Sequence, residues 1–251
     1  MKRIITSVLL AVFALWTIFQ APTAVFVALA ALMACLCYLE YANIVRTSGV
    51  EGPLYLGLVA GLIAMYRLDA LPLIAAVLLV FALNSRDLSK AVGFAGATVL
   101  GVIYIFLAWR CAIDLREMSP GWLFYALSVN WAGDVAAYYT GRQFGRHKLA
   151  SRVSPGKSWE GAIASVLVCT AYGVFIGQQF HLGLSLPLMI ALTMLANIAG
   201  QLGDLVESML KRGAGVKDSG TLLPGHGGFL DRLDSSLFTL PLVYYFLYWI
   251  R

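Results

Sequence analysis

The residue types best suited to chemistry are concentrated between positions 200 and 234 of this 251-residue chain. Asp204, Ser208 and Lys211 are spaced at i, i+4 and i+7, so a continuing helix would place all three on one face. Glu207 and Lys211 form an i,i+4 pair in the favourable order, with the acid first. An acid that ends a long uncharged run is costly at membrane depth and tends to mark function. The alternative, for both Asp204 and Glu207, is a helix end whose charges reach into water.

The segment from Gly213 to Asp234 has too many glycines for a helix, and its acids and bases alternate. Glycines let backbone N–H groups approach a phosphate closely, and Lys or Arg supplies phosphate-binding charge. Aspartates supply the hard oxygen ligands of Mg²⁺, which typically binds one or two carboxylates together with substrate phosphates. The pattern therefore predicts a metal–nucleotide site, although the Walker A motif of a P-loop is absent. His226 in this segment is a candidate substrate contact, but a lone histidine is more often a structural hydrogen-bonding group.

The 27 residues from Ser208 to Asp234 resemble the signature of the CTP:phosphatidate cytidylyltransferases, also called CDP-diacylglycerol synthases. The positions that carry the resemblance are Ser208, Lys211-Arg212, Lys217-Asp218, the run LPGHGG at 223–228, Asp231-Arg232 and Asp234. Residues 134–146 and 154–161 resemble two further blocks of that family. Two positions depart from it: Gly156 replaces a usual basic residue, and Ser158 replaces a usual Thr but keeps the hydroxyl. The resemblance covers the chain from about Trp122 onward.

The resemblance implies an enzyme of the bacterial inner membrane that converts CTP and phosphatidic acid to CDP-diacylglycerol and pyrophosphate. It also implies a homodimer that uses Mg²⁺, with a potassium ion as a further candidate cation. Carried over residue by residue, it places metal-binding carboxylates at Asp204 and Asp231. We accordingly predict that Asp204, Lys211 and Asp231 are catalytic. The predicted substrate-binding residues are Lys157, Ser158, Ser208, Arg212, Lys217, Asp218, His226, Arg232 and Asp234.

Two upstream residues have alternative interpretations. Asp134 ends an apolar span, and it either lines the cleft or only pairs with basic residues such as Arg142. Lys157 lies in a Ser-Pro-Gly-Lys-Ser turn and either binds the nucleotide or lipid headgroup or belongs to a solvated basic loop. Because each has such an alternative, Asp134 here and Glu207 on the helix described above are possible site residues.

The elements that must position these residues are predicted to be membrane-spanning helices. The chain is 60% hydrophobic and only 12% charged, whereas soluble domains are roughly 25% charged. Uncharged runs of 36 residues after Arg3 and 43 residues after Glu160 each hold two spans of about 20 residues. The predicted turns lie at Gln20–Pro22 and between Gln178 and Pro187. Single spans are predicted at 53–66, 70–85, 91–109, 122–139 and 235–250.

This pattern predicts an all-α, polytopic membrane protein with about nine spans, or seven to nine because those near 53–85 are short. We expect one transmembrane domain over 1–251, with an apolar scaffold half at 1–117 and a catalytic half at 118–251. Placing the N-terminus inside puts fourteen of the 18 basic residues on the cytoplasmic side, in agreement with the positive-inside rule. The loops 141–160 and 204–234 would then face the cytoplasm.

Other functions would agree with parts of this sequence. The net charge of +5 could suggest nucleic acid, but so few charges on so apolar a chain favour an anionic membrane surface or a phosphorylated substrate. A CTP-dependent lipid kinase, or a cytidylyltransferase for another lipid phosphate, would share much of the architecture. A secondary transporter would keep charges near the bilayer midplane, whereas the long uncharged runs leave the midplane almost without charge.

Overall fold

The computed structural model describes residues 2–50, 52–84, 87–222 and 227–250, with side chains from residue 11 onward. The helices of the N-terminal half are α1 (Lys2–Phe19), α2 (Thr23–Thr47), α3 (Leu56–Tyr66), α4 (Leu71–Ala82), α5 (Ala91–Gly101) and α6 (Ala108–Met118). A π-helical stretch, Val102–Leu107, joins α5 to α6 without a break. The C-terminal half contains α7 (Pro120–Phe144), β1 (Lys148–Ala150), β2 (Ser154–Ser158), α8 (Trp159–Gln179), α9 (Leu186–Gly213) and α10 (Leu230–Trp249).

Both uncharged runs form two helices with the predicted turns between them. Pro22 precedes α2, and Pro187 stands in the first turn of α9, where a missing N–H costs nothing because the first helical N–H groups have no intrahelical partner. The predicted span 91–109 is longer in the structure and continues to Met118. It tolerates the charge of Arg110 because the guanidinium pairs with Asp114 one turn later, at 2.8 Å.

Among the described residues, four helices are long and apolar enough to cross a membrane: Thr23–Thr47, Leu88–Met118, Trp159–Gln179 and Leu186–Gly213. The helices α3 and α4 have 11 and 12 residues, fewer than the roughly 20 that a full crossing needs. The architecture is that of a helical membrane protein. The count of nine spans, the cytoplasmic N-terminus and the division into scaffold and catalytic halves stay predictions.

The two polar segments differ from the predicted loops. In 141–160, α7 continues to Phe144, and β1 and β2 form an antiparallel hairpin in which Lys148 lies opposite Ser158. This hairpin is the departure from an all-α chain within the described residues. In 204–234, α9 continues to Gly213 and α10 begins at Leu230. The helical face predicted for Asp204, Ser208 and Lys211 is therefore confirmed. The described non-helical residues between the two helices are 214–222 and 227–229, so the loop is shorter than predicted.

Small residues let the C-terminal helices pack closely. The neighbours in this bundle are α7 and α8, α8 and α9, and α9 and α10. A Cβ at Gly203 would lie 2.6 Å from the backbone carbonyl oxygen of Asp234, so α9 and α10 touch almost backbone to backbone. Buried polar side chains also link the helices: the Asn130 amide of α7 donates to Thr239 Oγ1 of α10 at 2.6 Å. Such small and polar contacts are the usual means of helix association in membranes.

We predict that Gly203→Ala destabilises the chain by about 1–3 kcal/mol, the usual cost of overpacking a well-packed interior. The added methyl group meets a backbone oxygen, which cannot rotate away as a side chain can. Gly213→Ala is the matched control, since a Cβ at the end of the same helix meets nothing within 4 Å. Denaturant or thermal unfolding in detergent measures both, and equal stability of the two variants would contradict the close packing of α9 on α10.

Candidate active site

A polar cavity of about 720 Å³ lies where the end of α9 meets the loop 214–229 and the first turn of α10. Its wall consists mainly of charged side chains, which is unusual in a chain with so few charges. The cavity is lined by Asp204, Glu207, Ser208, Lys211, Arg212, Lys217, Asp218, Gly220, Thr221, Gly227, Asp231, Arg232 and Asp234. Ten of these residues are among the sequence-predicted site residues, so the structure brings most of that set together.

Lys211 lies at the centre of the charged wall. Its ammonium nitrogen is 2.5 Å from Glu207 Oε2 and 2.5 Å from Asp231 Oδ1. The lysine side chain is only 12% exposed, and that of Glu207 is 1% exposed. A buried carboxylate without a partner would be strongly destabilising. Lys211 therefore offsets the desolvation of Glu207, and its contact with Asp231 joins α9 to α10. Glu207 is thus a buried ion-pair partner, and its charge does not simply reach into water.

Asp231 is held by the loop as well as by Lys211. Its Oδ2 accepts hydrogen bonds from the backbone amides of Gly228, at 2.8 Å, and Ser219, at 3.0 Å. Burial by itself would raise the pKa of Asp231, but the hydrogen bonds from Lys211, Gly228 and Ser219 hold it well below its usual range. Asp231 is therefore a fixed negative charge at neutral pH.

The glycines beside Asp231 have a more specific role than the sequence indicated. Gly227 has φ of 79°, and a Cβ there would lie 2.6 Å from Asp231 Oδ2. Only glycine adopts this conformation readily and leaves the necessary space. The Gly228 N–H, expected to approach a phosphate, instead donates to Asp231. The glycine-rich run thus shapes the carboxylate's surroundings. His226 of the same run lies outside the described residues.

Glu40 of α2 is the important residue that the sequence reasoning missed. The residue is 5% exposed, and its carboxylate accepts hydrogen bonds from the hydroxyl of Ser219 and the amides of Phe229 and Leu230. A signal was present, because Glu40 is the acid that ends the first uncharged run, as Asp204 ends the second. Its partners, however, lie 179 to 190 positions away.

The upstream residues reach the site from β2 and α7. Lys157 forms an ion pair with Asp204 Oδ2, and both side chains are partly exposed. Asp134 interacts electrostatically with Asp204 and Lys157, although neither Asp134 nor Lys157 lines the cavity. Ser158 is 6% exposed, and its hydroxyl accepts from the Gly161 amide at 3.2 Å. Ser158 therefore caps α8, which leaves its predicted substrate contact without support from its position.

The arrangement suits a ligand that combines phosphate groups with a divalent cation. The lining contains the cations Lys211, Arg212, Lys217 and Arg232 together with five carboxylates. Within the described part of the chain, no cluster of three or more His, Cys, Asp or Glu residues has metal-binding geometry. A metal here would therefore take one or two carboxylates and complete its shell with phosphates and water, which is the usual habit of Mg²⁺.

Comparison with known proteins decides the family. The profile described as "Cytidylyltransferase family" matches residues 1–250. The chain belongs to the cytidylyltransferase family. This confirms the resemblance found in residues 208–234 and extends it over the N-terminal half.

Bacterial relatives of this cytidylyltransferase-family chain are named phosphatidate cytidylyltransferase. The one from Bacillus subtilis (strain 168) is 38% identical over 155 residues, which cover 61% of this chain and 58% of the relative. That from Staphylococcus epidermidis (strain ATCC 12228 / FDA PCI 1200) is 40% identical over 146 residues, or 58% of this chain and 56% of the relative. That from Staphylococcus haemolyticus (strain JCSC1435) is 40% identical over 145 residues, with the same coverage. The matched region thus spans little more than half the length of these relatives.

We predict that Lys211→Met lowers the free energy of unfolding by about 3–5 kcal/mol, because it leaves the Glu207 charge buried without its partner. Replacing Glu207 by Gln in the same chain should recover part of this loss, because only Asp231 then lacks its ammonium partner. Arg212→Met, at the exposed neighbouring position, is the control and should change stability by no more than about 0.5 kcal/mol. Unfolding in detergent measures all three variants. If the Gln substitution gives no recovery, the ion pair is not what stabilises this region.

Proposed function

We propose that this chain transfers the cytidylyl group of CTP to phosphatidic acid, giving CDP-diacylglycerol and pyrophosphate. The observation that carries the proposal is the charged cavity at the ends of apolar helices, where alternating cations and carboxylates can receive a metal–nucleotide next to a lipid phosphate. Membership of the cytidylyltransferase family and the name of its bacterial relatives, phosphatidate cytidylyltransferase, support the same reaction.

In the proposed reaction, a phosphate oxygen of phosphatidic acid attacks the α-phosphorus of CTP. The bond from the α-phosphorus to the bridging oxygen breaks, and pyrophosphate leaves with that oxygen. The nucleophile is already anionic at neutral pH, so it needs little help from a general base. The main barrier is the approach of two polyanions, and positioning with electrostatic stabilisation therefore dominates, as in phosphoryl transfer.

The basic residues of the wall fit this task. Arg212, Lys217 and Arg232 line the cavity together with Lys211, and each adds positive charge where the phosphates would lie. Ser208 and Asp218 add a hydroxyl and a carboxylate for orienting polar groups of the substrates. The Lys157–Asp204 pair links β2 to α9 and places another cation beside the cavity.

We further propose that Asp204 and Asp231 hold Mg²⁺ together with the phosphates of CTP. A bound Mg²⁺ would polarise the phosphates and stabilise the negative charge of the leaving pyrophosphate. The side chain of Asp204 is 35% exposed and so can receive a hydrated cation. Asp231 accepts from Lys211, Ser219 and Gly228, and its two carboxylate oxygens have about four acceptor sites between them, which leaves room for a cation.

Several features of the proposed enzyme come from the resemblance alone. They are a homodimer, a potassium ion and the bacterial inner membrane. The cytoplasmic orientation of the cavity is instead proposed from the distribution of basic residues along the sequence. The bacterial relatives and the apolar helices support the coarser statement that this is a bacterial membrane protein.

Labelled CTP tests the reaction directly. Purified protein in detergent is incubated with phosphatidic acid and CTP labelled at the α- or the γ-phosphate, with and without Mg²⁺. We expect α-label to enter the lipid only when Mg²⁺ is present, because the α-phosphate stays with the cytidylyl group. Entry of γ-label would identify a lipid kinase instead, and absence of both labels would reject the proposed reaction.

We predict that Asp231→Asn lowers turnover at least about 100-fold, the usual cost of losing one preorganised electrostatic group. The protein should still insert and fold, since Asn keeps the shape of the side chain and one acceptor oxygen for the Ser219 and Gly228 amides. Asp69→Asn is the matched control, because Asp69 is 68% exposed and pairs only locally with Arg67. The assay is cytidylyl transfer in detergent, and near-normal turnover of the Asp231 variant would refute its catalytic role.

A further inference from the structure

We propose that Glu40 of α2 is a positioning residue for this reaction, holding the cavity loop and the first turn of α10 so that Asp231 faces the substrates. The inference rests on the proposed cytidylyl transfer. It assigns a specific task to the N-terminal half, which the sequence indicated only as an apolar scaffold.

The carboxylate of Glu40 is surrounded by donors from the distant end of the chain. Oε1 accepts from the Phe229 amide at 3.0 Å, and Oε2 accepts from the Leu230 amide and the Ser219 hydroxyl, each at 2.8 Å. With only 5% of the residue exposed, water cannot easily replace any of these three bonds. The three donors thus form a specific binding site for the Glu40 carboxylate.

These bonds complete the start of α10. The first N–H groups of a helix have no intrahelical partner, and the cap residue of α10, Phe229, provides no side-chain acceptor. Glu40 supplies the missing acceptor from another helix. Its negative charge also lies at the end of α10 where the helix dipole is positive, which is the favourable placement.

Ser219 links Glu40 to Asp231. The Ser219 hydroxyl donates to Glu40, while its backbone amide donates to Asp231 Oδ2 at 3.0 Å. Asp231 itself is the second residue of α10, one position after Leu230. Movement of Glu40 would therefore disturb Asp231 along two routes, through the loop and through the helix start.

The loop glycines fit tightly around this carboxylate. A Cβ at Gly228 would lie 2.2 Å from both Glu40 Oε2 and Ser219 Oγ, and a Cβ at Gly220 would lie 2.6 Å from Glu40 Oε1. The loop can close on Glu40 only because these positions lack side chains. Glycine at both positions thus allows the hydrogen bonds between the loop and Glu40, in addition to any contact with phosphate.

The test compares Glu40→Gln with Tyr41→Phe. A Gln side chain has one acceptor oxygen, and its NH₂ group would face a backbone N–H, so at least one of the three donors loses its partner. Tyr41 is the next residue on α2 and is 1% exposed, and its hydroxyl donates to the Ala97 carbonyl at 2.8 Å. The Phe variant therefore loses a partly buried hydrogen bond of the same helix that does not involve the cavity loop.

We expect Glu40→Gln to lower kcat at least about tenfold, because an unsatisfied buried donor displaces the groups around it. KM for phosphatidic acid should change by less than about threefold, since the substrate-binding cations keep their places. Hydrogen exchange at the Phe229 and Leu230 amides should accelerate in the same variant. Tyr41→Phe should retain the wild-type kcat and the slow exchange of these two amides, even where its thermal stability falls.

Glu40→Asp and Ser219→Ala test the same proposal if the Glu40→Gln variant does not fold. Asp keeps the charge and should restore part of the lost kcat, while Ser219→Ala removes one of the three bonds and should give an intermediate loss. Wild-type kcat in Glu40→Gln or in Ser219→Ala, or an equal loss in Tyr41→Phe, would overturn the proposal. Failure of wild-type protein to transfer label would instead reject the proposed function, while the exchange contrast would still report whether Glu40 holds the loop.

Discussion

The site depends on one buried ammonium group, that of Lys211, shared between Glu207 and Asp231. The Glu207 side chain is 1% exposed in a chain with only 12% charged residues. Such a buried carboxylate needs a neighbouring cation, because desolvation of an unpaired charge costs several kcal/mol. Lys211 meets this requirement for Glu207 on its own helix and for Asp231 on α10. The same group thus stabilises the end of α9, joins two helices and positions a carboxylate of the cavity.

Close approach of backbones makes this arrangement possible. Gly203 brings α9 against α10 at the level of the cavity, and Gly228 lets the loop reach both Glu40 and Asp231. A bulkier residue at either place would separate the charges that the site needs together. Packing and electrostatics therefore act on the same few residues. The glycines Gly227 and Gly228 make room for the carboxylates of Asp231 and Glu40.

Much of the arrangement could be predicted from local sequence patterns. The turn at Gln20–Pro22 and the continuation of α9 through Lys211 follow from uncharged runs, proline and helical spacing, which are properties of neighbouring residues. The hairpin at 148–158 was missed because strands of three and five residues are too short for a periodic signal. Glu40 was missed because its contacts join α2 to residues 179 to 190 positions later. Spacing along one helix carries no information about such contacts; only the packing of α2 against α10 creates them.

A structure with a non-hydrolysable CTP analogue and Mg²⁺ bound would test the central claim most directly, through the position of the triphosphate. We predict that the triphosphate lies inside the cavity, next to Lys217 and Arg232, with Glu40 still bound to the Phe229 and Leu230 amides. A triphosphate bound outside this cavity, for example against the hairpin of β1 and β2, would contradict it.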